Sequence, residues 1–163
     1  MLLTELLDAP YKFELTHGDT KGDFIAYFKD DSDVMTIVNF EYWGGPELTI
    51  VDFKRKGSFE MTNDTSKAKH EGVRIIGTVI AAIKKYVADQ KPKFLAFSIK
   101  NSEESRGSLY DRLASKIAPA ISYSKVTDAS TIDHPVLPGW WKNKLKQTTS
   151  DHRFVLFASK GQS

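Results

Sequence analysis

Roughly the first 60 residues read as β, in short runs that either alternate apolar and polar with the period of two that a strand imposes or are continuously apolar. Tyr11-Lys12-Phe13-Glu14-Leu15 predicts a first strand, closed by turn chemistry at His17-Gly18-Asp19. Phe24–Phe28 is a continuous apolar run that ends in Asp30-Asp31-Ser32-Asp33. In the next segment Val34, Thr36, Val38 and Phe40 share one face, with Met35, Ile37, Asn39 and Glu41 on the other. Gly44-Gly45-Pro46 breaks it, and Leu48–Phe53 follows. Such short connections predict an antiparallel meander.

The period then changes. Val73, Ile76, Ile80, Ile83 and Val87 step by three and four, which is a helical stripe. Ile75, Val79, Ala82 and Tyr86 widen it, so a helix from about Lys69 to the Lys91-Pro92 break lies deep against a sheet. Phe94–Ile99 predicts a buried strand, and Ser102-Glu103-Glu104 starts a second helix running to about Ile117. Ile121–Val126 and Phe154–Ala158 complete the strands, with 128–150 read as a long connection containing Pro135, Pro138 and Gly139. The predicted order is β-β-β-β-α-β-α-β-β. It describes an α+β domain over residues 1–163, with one mixed, mostly antiparallel sheet and two main helices. The unit from about residue 48 to 99 predicts a parallel crossover.

Composition narrows the chemistry. There is no Cys, which excludes a disulfide framework and a cysteine nucleophile. Twenty-three Lys and Arg face 21 Asp and Glu, a balance that does not point to nucleic acid. No apolar run reaches membrane-spanning length, and the start lacks a basic leader, so the expected setting is the cytoplasm, without a membrane partner. His70-Glu71-Gly72-Val73-Arg74 has Arg where a zinc-protease helix has its second histidine, so no metal site is expected there. His17, His134 and His152 fall in predicted turns or connections and are expected to be solvated.

The order of elements, together with Asn101 through Leu113 (Asn-Ser-Glu-Glu-Ser-Arg-Gly-Ser-Leu-Tyr-Asp-Arg-Leu), resembles the GNAT superfamily of acyl-CoA-dependent N-acetyltransferases. The opening Leu3–Tyr11 and the Ser105-Arg106…Leu109-Tyr110 segment are similar to small GNAT-like proteins encoded by bacteriophages, whose setting is the infected host's cytoplasm. The resemblance implies acetyl-CoA as cofactor and an amine as acceptor. It implies that Asn101 lies in the cofactor region and that Tyr110 protonates the departing thiolate. It assigns the cofactor pyrophosphate to Ser66–Val73, where Lys67, Lys69 and His70 bring positive charge and Gly72 stands alone in place of a glycine-rich turn. Asp52 and Glu41 then lie where the acceptor amine approaches, as candidate bases.

Trp140-Trp141, followed by Lys142, Lys144 and Lys146, permits two readings. The rings grip a partner macromolecule, or they fold back over the sheet. The first supports an alternative function, a catalytically degenerate GNAT-like protein that binds a host or phage protein.

Overall fold

The computed structural model describes residues 10–43, 48–55, 66–100, 115, 118–119, 121–147 and 152–160. Its elements are β1 (Glu14–His17), β2 (Phe24–Lys29), β3 (Met35–Tyr42), β4 (Leu48–Arg55), α1 (Ser66–Gln90), β5 (Phe94–Lys100), β6 (Tyr123–Val126), α2 (Leu137–Gln147) and β7 (His152–Ser159). One seven-stranded mixed sheet takes the order β1-β2-β3-β4-β5-β7-β6. Every neighbouring pair is antiparallel except β4 with β5. The domain is therefore of the α+β class, with the meander and the parallel pair where the sequence pattern predicts them.

Burial follows from the pleat. Val38, Phe40, Val51, Leu95, Phe97 and Phe157 point to one face and pack under α1. Leu48, Ile50, Phe94, Ala96 and Leu156 point to the other and pack under α2. The central strands are covered on both faces, which is why they read as continuous apolar runs rather than as alternation. On α1 the deepest residues are Ile75, Val79, Ala82, Ile83 and Tyr86, while Ile76, Ile80 and Val87 are half-buried. The contact stripe is thus centred on the residues expected only to widen it. Tyr86 explains the rotation, because its ring stacks on Phe40 at 4.2 Å and its hydroxyl meets Thr49 Oγ1 at 2.9 Å. Lys91 closes α1 in the left-handed conformation (φ 48°), with its amide bonded to the Val87 carbonyl, and Pro92 prevents continuation.

Three expectations are corrected. The connection 128–150 contains α2, because Pro138 falls in the first helical turn, where an amide has no intrahelical partner to lose. His134 is buried rather than solvated. Its Nδ1 accepts the amides of Val136 (3.1 Å) and Leu137 (3.0 Å), so the ring caps α2 and its own proton sits on Nε2. β1 begins at Glu14, since Tyr11 turns away to donate its amide to Thr78 Oγ1 of α1 at 2.9 Å. The described order is accordingly β-β-β-β-α-β-β-α-β. Of the helix predicted over 102–117, all but Ser115 lies outside the described residues.

Thr36 is wholly buried, and its Oγ1 has no hydrogen-bond partner among the described residues. Burying an unsatisfied hydroxyl costs about 1–3 kcal/mol. Thr36→Val, which keeps the branched shape, is expected to raise the denaturation free energy by about 1 kcal/mol, measured by urea unfolding.

Candidate functional site

The parallel pair positions the site. β4 and β5 pair from Leu48↔Phe94 to Val51↔Phe97. Both strands then continue, β4 along β3 to Arg55 and β5 along β7 to Lys100. Among the described residues, no β4–β5 pair follows Val51↔Phe97. The two strands part at that point, and the backbone edges of 52–55 and 98–100 no longer bond to each other. Backbone amides and carbonyls in such a gap need water or a ligand as partners. Carboxyl ends of diverging parallel strands are where open sheets accommodate ligands.

α1 opens at the same end. Its late residue Tyr86 meets Thr49 near the start of β4, while its early residue Arg74 meets Asp31 (3.5 Å) in the β2–β3 turn, so it runs antiparallel to β4. The first four amides, Ser66–Lys69, have no intrahelical partners, and the first turn contains no acid. That combination suits an anion.

The predicted site residues distribute unevenly over this frame. Asp52 is exposed, stands opposite Asn39 and is the first β4 residue past the last β4–β5 pair. Glu41 is on the same face but opposite Ile50, two residues further from the gap, and its Oε2 accepts from Trp43 Nε1 at 3.4 Å. Asp52 is the carboxylate beside the opening. Lys67, Lys69, His70 and Gly72 lie within the first turns of α1, so Ser66–Val73 is helix and not a turn before it. The Gly72 amide is therefore committed to the helix ladder rather than offered to a phosphate. Asn101 and Tyr110 lie outside the described residues.

Trp140 and Trp141 fold back. They are 6% and 8% exposed, and each sets its ring edge-on to Phe154, at 5.3 and 5.0 Å. They are core residues and present no gripping surface. Among the described residues the exposed large aromatics are instead Tyr42 and Trp43, both 44% exposed, at the end of β3.

Sequence reasoning missed a groove of about 680 Å³ between the segment before β1 and the ends of β2 and β3. It forms because β1 pairs with β2 only from Glu14 onward, while Tyr11 is drawn across to α1. Beside it, Tyr11 stacks on Phe28 at 5.9 Å, donates to Asp31 Oδ2 at 3.0 Å, and has the Arg74 guanidinium 3.9 Å above its ring. No signal in the local pattern marks such a groove, since it depends on contacts between residues far apart in the chain.

Burial, together with the bond to Asp31, pushes the Tyr11 phenol up to about 12 from an ordinary 10.0. The folded state therefore favours the protonated phenol. The resulting stabilisation is complete below about pH 10 and is lost as pH rises through about 12. Tyr11→Phe is expected to flatten the fall of stability between those values, seen as a smaller change in urea midpoint; an unchanged fall would contradict the assignment.

No known protein family, curated protein or solved structure matches the chain.

Proposed function

We propose that this protein is a GNAT-like N-acyltransferase that uses acetyl-CoA to acylate an amine. One observation carries the reading: the β4–β5 ladder stops at Val51↔Phe97 while both strands run on, at the end of the sheet where α1 begins. The gap presents backbone groups to the amides of an extended pantetheine arm, and the first amides of α1 suit its pyrophosphate. The sheet order β1-β2-β3-β4-β5-β7-β6, with its single parallel junction, supports the same reading.

Bound acetyl-CoA supplies an activated acyl carbon as a thioester. The roles of the chain follow from the balance of that transfer. The acceptor nitrogen bonds to the acyl carbon and the carbon–sulfur bond breaks. The ammonium proton would pass to Asp52, directly or through water, and the second N–H proton, released once the carbon–nitrogen bond has formed, would replace the one that Tyr110 gives to the departing sulfur. Backbone amides at the gap stabilise the oxyanion. Glu41 is the secondary base candidate. The alternative, a catalytically degenerate GNAT-like protein that binds a host or phage macromolecule, draws on the small size, the lack of a glycine-rich turn and the Trp140–Trp141 pair; of these, the burial of the two rings withdraws the third.

Calorimetric titration with acetyl-CoA is the direct test. Saturable heat is expected; none at millimolar ligand would reject the acyltransferase reading.

A further inference from the structure

The two faces of the sheet are not covered alike. The core beneath α2 draws its strand residues from β4 to β7, with none from β1, β2 or β3. On that same face, Ile25 and Tyr27 of β2 and Met35 and Ile37 of β3 are half-buried and lie under no described element. This open strip has two unlike ends. At the β1 side is the 680 Å³ groove, at the sheet edge, lined by Tyr27, Lys29 and Met35 from this face and by Tyr11, Phe13 and Phe28 from the α1 side. Lys29 is paired with Asp33 at 3.5 Å and the Tyr27 hydroxyl donates to Glu14, while the rings of Tyr11, Phe13, Tyr27 and Phe28 and the Met35 side chain give the groove an apolar wall. At the β4 side are Asp52 and Glu41, with Lys54 one position further along the face from Asp52.

We infer that this strip is the docking surface for the acceptor, and that the acceptor is a polypeptide bound extended across the strands, with an apolar side chain in the groove and its amine at Asp52. The inference rests on the acyltransferase reading and adds the substrate class. Three features select a polypeptide. Among the described residues no element lies over the strip, so these residues do not enclose a small amine on several sides as a metabolite pocket does. Its ends match opposite chemistries, an apolar anchor and a cation facing two carboxylates. Their separation suits a chain: Asp52 is level with Asn39, so Tyr27 lies two strand spacings across and two residues along from it and Met35 one spacing across and four along, about 12–14 Å, which an extended peptide covers in about four residues.

The test uses the full chain, acetyl-CoA and N-acetylated peptide amides in which Phe and Lys are separated by no glycines, about three, or about six. Free lysine amide serves as the small amine. Thiol release gives the rate, and calorimetry with acetyl-CoA reports cofactor uptake separately. The middle spacing is expected to react with a kcat/KM about tenfold above that of lysine amide, a ratio that Met35→Glu brings to about one. Met35→Gln, with a circular dichroism spectrum matching the parent, repeats the comparison without adding a charge. Acetyl-CoA uptake with lysine amide reacting as fast as every peptide, or with no amine reacting, overturns the inference alone. Failure to take up acetyl-CoA overturns the acyltransferase reading and this inference with it. A concentration-dependent dimer that Met35→Glu dissociates would assign the strip to a second copy of the chain and overturn the polypeptide assignment.

Discussion

Trp140→Ala is expected to lower the unfolding free energy by about 3–5 kcal/mol, measured by urea denaturation. The ring is 6% exposed and sits edge-on to Phe154, among Leu48, Ile50, Phe94 and Leu156. Truncation leaves a cavity that a sheet on one side and a helix on the other cannot collapse to fill. A domain of this size has roughly 5–15 kcal/mol in total, so the variant should be close to unfolding at physiological temperature. The same substitution separates the two roles read from the sequence. A tryptophan held out for a partner would change binding and leave the urea midpoint where it was.

The second large effect concerns chemistry. Asp52→Asn is expected to lower kcat by about 100-fold or more, the usual contribution of a positioned base, with acetyl-CoA affinity unchanged. The carboxylate is the first β4 residue past Val51 and is exposed, and the proposed reaction sets it against the amine rather than the pantetheine arm. Glu41→Gln should have a much smaller effect, because Glu41 stands opposite Ile50, deeper along the paired strands. Steady-state rates with a lysine-containing peptide decide between them; equal losses in both variants would mean the base is misassigned.

Much of the sheet was legible because the physics of a strand is local. Thr36, Val38 and Phe40 announce a buried face by alternation, and Leu48–Val51 and Phe94–Phe97, covered on both sides, announce themselves as nearly unbroken apolar runs. What was missed depends on relations between distant residues. The start of α1 was read three residues late because Ser66-Lys67-Ala68-Lys69 contributes nothing to an apolar stripe. α2 was hidden by Pro138 and Gly139, which read as breakers until His134 is seen supplying the cap and Pro138 is seen occupying the first turn. β1 slid because an edge strand takes its register from its one neighbour, and Tyr11 is held by Thr78 and Asp31 elsewhere.

The candidate site divides along the same line. Asp52 was visible as a charge inside an apolar strand. The parting of β4 and β5 was not, since no single segment encodes where two strands cease to pair. Gly72 was assigned to a phosphate turn by resemblance, but the helix already includes it. The groove at Tyr11 and Met35 has no sequence signal, because it is the space left when a chain leaves one strand to satisfy a hydrogen bond on another element.

The claim beneath the functional reading is that the gap past Val51↔Phe97 receives an acyl-CoA. Backbone amide resonances followed during titration with acetyl-CoA test it most directly. The reading predicts saturable shifts at Asp52–Arg55, Ser98–Lys100 and the first turn of α1, with β1 and β2 unmoved. Saturation without shifts at those three segments, or shifts confined to the groove beside Tyr11, would contradict it.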